Sequence, residues 1–142
     1  MTVTFFGHSD TPDAIKPLLA STITDLIINH NATNFYVGNN GNFDSMAHQI
    51  LKDLSEIYPI KYYVVLAYFP NEKNSHSDLS HTILPEGIEK SPRRFAISWR
   101  NKWMIEKSDT VITYVTRCVG GAAQFKALAE KKSKHIIELS YQ

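Results

Sequence analysis

Residues 34–46 read Asn34-Phe35-Tyr36-Val37-Gly38-Asn39-Asn40-Gly41-Asn42-Phe43-Asp44-Ser45-Met46. The first four favour an extended strand. Gly38 through Asn42 then supply residues that accept left-handed backbone angles, so the chain turns there. Met46, Ile50, Leu54 and Ile57 follow at helical spacing until Pro59 stops the helix. Strand, glycine turn and amphipathic helix in that order form half of a βαβ unit.

The same unit occurs on both sides of this stretch. Upstream, Val3 to Phe6 is a short strand closed by Gly7-His8-Ser9-Asp10, and Pro12 can start a helix because its missing N–H costs nothing in a first turn. Ile15, Leu18, Leu19, Ile23, Leu26 and Ile27 give that helix an apolar stripe. Downstream, Lys61 to Phe69 holds a nearly continuous apolar run, suited to a strand covered on both faces. Residues 70–92 lose the pattern and read as a long loop or lid, since connections of about 4–6 residues are usual. A helix from Arg93 to Lys107, a strand from Thr110 to Val115, a helix from Gly120 to Lys132 and a strand from His135 to Leu139 complete the chain. The expectation is one α/β domain over residues 1–142: a Rossmann-like three-layer sandwich with a mostly parallel, five-stranded sheet and helices on both faces.

Composition narrows the function. With 142 residues, 43% hydrophobic and 20% charged, the chain is long enough for one packed core. A net charge of +1 provides no general attraction for polyanions, which argues against nucleic acid as a partner. No apolar run is long enough to span a bilayer and no leader precedes the first strand, so a cytoplasmic location is expected. The single cysteine, Cys118, cannot form an internal disulfide and reads as a small semi-buried thiol. His76 and His81 read as solvated loop histidines, and neither a metal nor a cofactor is implied.

Three turns concentrate the candidate binding residues at the carboxyl edge of the sheet, where free N–H groups and helix dipoles favour anions. The first offers Gly7, His8 and Ser9, with Ser9 and Asp10 as alternative helix caps. The second offers Gly38, Asn39, Asn40, Gly41 and Asp44, with Asn42 as an alternative cap. The third offers Gly120, Gly121, Ala122 and Gln124. Arg100, between Trp99 and Trp103 on a largely apolar helix, can hold phosphate with its planar fork or lie exposed over the rings. The two tryptophans suit a core or a homo-oligomer surface equally.

Phe5-Phe6-Gly7-His8, residues 38–46, Arg100-Asn101-Lys102-Trp103-Met104 and Gly120-Gly121-Ala122 together resemble a group of small bacterial proteins in the SLOG superfamily, which takes in the DprA and Lonely Guy proteins. The resemblance implies a Rossmann-like fold and a nucleotide or nucleotide-derived ligand. Lonely Guy enzymes release the base from nucleoside monophosphates. Arg100, Met104, Ser108 and Asp109 keep the spacing of their helix motif, and Gly120 and Gly121 match their paired glycines. Ala123, Gln124 and Ala127 depart from it, and Ala127 stands where the catalytic Glu falls. A methyl group cannot stabilise an oxocarbenium-like centre. The expectation is therefore a binder of a nucleotide-like small molecule. A phosphoribohydrolase using Arg100 and Asp44, or an interaction module with no ligand, are the alternatives.

Overall fold

A computed structural model describes residues 1–69 and 80–140. Six strands, β1 (Thr2–Gly7), β2 (Asn34–Val37), β3 (Lys61–Val65), β4 (Thr82–Ile83), β5 (Thr110–Tyr114) and β6 (His135–Glu138), form one sheet in the order β4-β3-β2-β1-β5-β6. Every pairing is parallel. The helices are α1 (Lys16–His30), α2 (Asn42–Ser55), α3 (Ala96–Lys107) and α4 (Gly121–Lys131).

Alternation along the strands divides the core in two. Val3, Phe5, Phe35, Val37 and Ile112 pack with Leu19 and Ile23 of α1 and with Met46, Ile50 and Leu51 of α2. Phe6, Val65 and Val111 face the other way, onto Met104 and Ile105 of α3 and Phe125 and Ala129 of α4. Period-two strands with both faces apolar need helices on both sides, and the chain supplies two per face. Asn31, in the left-handed conformation, ends α1.

The strand count corrects the expected five. Thr82 and Ile83, within the stretch read as loop, pair with Val64 and Val65 at the sheet edge. Two residues give too short a pattern to be seen against a polar surround. The preceding strand also ends earlier than expected, at Val65. Of the proposed lid, residues 70–79 lie outside the described residues, as does His76. The rest packs down at the edge: Ile88 is buried and Gly87 lies against the Trp99 ring.

The sheet winds outward from β1 in both directions, so a crevice opens at the carboxyl ends of β1 and its neighbours. Gly41 brings the turn after β2 against the turn after β1 beside it. Its φ is 93°, and an added Cβ would run into the backbone and side chain of Ser9. We predict that Gly41→Ala lowers stability by about 1–3 kcal/mol, read as a lower urea midpoint. An unchanged midpoint would show that the two turns do not depend on this approach.

Candidate functional site

The turn after β1 is tied to both other turns. On one side the Ser9 carbonyl accepts the Asn42 N–H at 2.8 Å, and the Asn42 side-chain amide donates to the Thr11 carbonyl at 2.7 Å and to Asp13 at 2.8 Å. On the other, His8 Nε2 accepts the Thr116 N–H at 2.9 Å, and Arg117 grips both oxygens of Asp10 at 2.8 and 2.9 Å. Two sequence expectations change here. Neither Ser9 nor Asp10 caps the helix that follows, and Asn42 is not a cap, since Gly41 precedes α2 and the Asn42 side chain bridges two loops.

These ties enclose a cleft of about 360 Å³. It is lined by Gly7, His8 and Ser9 from the first turn, Asn40 and Asp44 from the second, and Gly120, Gly121 and Ala122 from the third, with Arg100 from α3. Gly38, Asn39 and Gly41 border a smaller hollow of about 190 Å³ that shares Asp44. Gln124 is exposed and lines neither. Residues 80–92 do not reach the cleft wall either, so the described part of the expected lid does not cover it. Cys118 is exposed, because its turn stands out from the sheet edge. His81 stacks on Tyr62, ring centroids 4.3 Å apart.

Arg100 is 2% exposed, the largest fully buried side chain. It lies on the α3 stripe formed by Ala96, Arg100, Asn101, Met104 and Ile105, at helical spacing. Its Nε donates to Asn101 Oδ1 at 2.9 Å, and its Nη1 donates to Asn39 Oδ1 at 2.9 Å and to the Val65 carbonyl at 3.1 Å. Among the described residues Nη2 has no partner. Burial draws the guanidinium down from its ordinary value while Asp44 pushes it back up, and an arginine remains charged under such shifts. Asn101, 9% exposed, and Arg117 also line the cleft and were missed as site residues. Asn101 sits on the same stripe as Arg100, so a second polar residue on an otherwise apolar face was the available signal. Arg117 sits in a turn with no periodicity and had none.

Gly38 separates Asp44 from Arg100. A Cβ there would stand 2.8 Å from Asp44 Oδ2 and 3.3 Å from the Arg100 Cζ and Nη1. The missing side chain allows both charges to approach the same point without forming a direct ion pair. Asp44 Oδ2 accepts the Asn40 N–H at 2.9 Å. Burial raises its pKa to about 6, against the opposing pull of that N–H and of Arg100. His8 is lowered, first by burial and then by Arg117, and its neutral ring accepts through Nε2. At the start of α4 no side chain caps the free N–H groups, and Gly120, Gly121 and Ala122 present that end to the cleft. The arrangement can bind a phosphate: one buried guanidinium with unused donors, one uncapped helix end, and apolar walls from Phe6, Met104 and Phe125.

No family model matches this sequence, and no curated protein matches it. Solved structures do. The chain is similar to DNA processing protein A (DprA) from Streptococcus pneumoniae, with TM-score 0.74 and 15% identity over 99% of this chain and 50% of that one. It is also similar to DNA processing protein A from Helicobacter pylori, with TM-score 0.71 and 17% identity over 100% of this chain and 66% of that one. The fold is DprA-like. A Rossmann-like architecture of this kind is what the sequence resemblance implied, and the chain spans about half to two thirds of the DprA structures it matches. The Helicobacter pylori structure concerns that protein's single-stranded DNA binding mode. Among the described residues no helix is long and apolar enough to cross a membrane.

The raised Asp44 pKa has a stability cost with a definite sign. The folded protein holds this proton more tightly than the unfolded chain does. Ionising Asp44 therefore removes stability as pH rises from about 3.8 to about 6. Asp44→Asn keeps an oxygen for the Asn40 N–H and abolishes the charge. We predict a gain of about 1–3 kcal/mol near neutral pH that vanishes near pH 4, measured by urea unfolding at both values. An equal effect at both would mean the carboxylate ionises freely.

Proposed function

We propose that the cleft binds the phosphate of a nucleotide or nucleotide-derived small molecule, with Arg100 as its anchor. The observation that carries this is the unused Nη2 of a buried guanidinium opening onto the same cleft as the uncapped start of α4. Burying an arginine is costly, and its two carbonyl-type partners on Nη1 and the Asn101 oxygen on Nε leave the outer edge of its fork unspent. The volume of about 360 Å³ is within the range of small-molecule sites. Gly7, His8, Ser9, Asn40, Gly120, Gly121 and Ala122 would surround the ligand, while Gly38, Asn39 and Gly41 support Arg100 and Asp44 from behind.

Binding is favoured over hydrolysis. Ala127 is exposed and does not line the cleft, and Asp44 is the one carboxylate that does among the described residues. Asp44 Oδ2 is engaged by the Asn40 N–H, and the whole group is packed beside Arg100. A sensor that recognises a nucleotide-like molecule needs no more than this. Single-stranded DNA is a second reading, supported by the likeness to the Helicobacter pylori protein, whose structure concerns such binding.

Thermal unfolding with nucleoside monophosphates, nucleotide sugars, dinucleotides and a short oligothymidylate separates these. A bound ligand at a hundredfold excess over its Kd adds about 2.7 kcal/mol, several degrees in Tm for a chain of this size. We expect a concentration-dependent rise with at least one phosphate-bearing small molecule, lost in Arg100→Met, and no free base released. A rise with oligothymidylate alone selects the DNA reading. No shift with any of them leaves an interaction module, and release of base establishes a hydrolase.

A further inference from the structure

The charges that meet in the cleft nearly cancel. Arg117 is committed to both oxygens of Asp10. His8 adds no charge, because Nε2 accepts the Thr116 N–H. Arg100 and Asp44 remain, one positive and one negative. The other donor is neutral: Asn101 spends its oxygen on Arg100 Nε, which leaves its amide nitrogen as the free end, and among the described residues that nitrogen has no partner. Asn101 is more than nine-tenths buried and lines the cleft beside the unused Nη2. With Asp44 set against Arg100, the start of α4 leaves an excess of roughly half a positive charge, which together with the neutral Asn101 donor suits a singly charged ligand.

Resting on the phosphate reading above, we propose that the cleft selects a phosphodiester, which carries one negative charge, over a terminal phosphomonoester, which carries two. The diester class includes cyclic nucleotides and internucleotide linkages. Desolvating a charge costs energy in proportion to its square, so a dianion loses far more hydration than a monoanion. A second cation would offset that loss, and among the described residues that line the cleft the other cation, Arg117, is paired with Asp10. The extra charge meets the Asp44 carboxylate instead, which Gly38 allows to stand beside the anchoring guanidinium. The absence of a side chain at position 38 thus sets the ligand's charge limit.

The charged or titratable groups that line the two hollows with Asp44 are Arg100 on α3, His8 in the first turn, Arg117 in the third, and His48 on its own helix, and of these Arg100 acts on it. His48 is exposed and lowered by burial first, then by Lys52 and His81. Asp44 is the group that changes charge near pH 6. A monoester loses its own second charge at about the same pH. Selection should therefore weaken on acidification from both sides.

Isothermal titration with 3′,5′-cyclic AMP, AMP and oligothymidylate tests this, since the first two share base and sugar and differ in phosphate charge. Near pH 7.5 we expect cyclic AMP to bind about tenfold more tightly than AMP, the scale of one unbalanced charge at partly screened short range. The gap should shrink at about pH 5. It should also close in Asp44→Asn and in Asp10→Asn, which frees Arg117 at the surface, in each case through tighter AMP. Oligothymidylate binding without either mononucleotide supports diester selection and identifies the source as a polynucleotide. AMP binding as tightly as cyclic AMP, or more so, near pH 7.5 overturns the charge limit and leaves the phosphate site standing. Binding of none of the three overturns both.

Discussion

The turn that leaves β1 is the fixed point of the binding face. Its carbonyls, one imidazole and one carboxylate hold the second and third turns in place, through Ser9 and Thr11 on one side and His8 and Asp10 on the other. β1 lies between β2 and β5, so the anchor is itself held by the centre of the sheet. Groups at the end of a central parallel strand have lost their ladder partners and must find others. Here those partners come from Asn42, about thirty residues away, and from Thr116 and Arg117, about a hundred residues away. The cleft is as rigid as this set of bonds, whatever it binds.

Much of the architecture was legible because it is local. Apolar runs of four or more residues, each followed by glycine and then by helical spacing, carry their own period and punctuation. β1, β2 and β5, with α1, α2 and α4 behind them, follow that logic within a few residues, while α3 and β6 were legible from their own apolar pattern. β4 does not, since two residues have no period, and its pairing with Val64 and Val65 is set by the sheet edge. Arg100 stood out in the sequence as a charge between Trp99 and Trp103 on a largely apolar helix, with a buried anchor and an exposed side chain both open, and the structure buries it. Asn101 occupied the next position on that stripe and was passed over. The pairing of Asp10 with Arg117, the bridge from Asn42 to Thr11, and the exposure of Cys118 all depend on which distant loop arrives, and no residue pattern encodes that.

A fold does not by itself set a function, which resides in the side chains that the strand ends carry. In this chain those side chains are sparing with charge. Asp44 lies beside an arginine and still has a raised pKa, because desolvation of its charged form outweighs the Asn40 N–H and Arg100. Such a carboxylate weakens the fold near neutral pH. Its retention at the cleft is easier to understand as a filter on ligands than as a contribution to stability. The two hollows that share Asp44 also mean that whatever fills one is felt in the other.

The lone cysteine has a practical side. Cys118 is exposed on the turn that carries both Arg117 and Gly120. A maleimide dye attached there would sit at the mouth of the cleft, on the loop that His8 secures, and would report occupancy by fluorescence with no further engineering. The same placement makes storage without reductant hazardous: two copies cross-linked through this thiol would meet near the mouths of their clefts, and an otherwise intact preparation would have those mouths crowded.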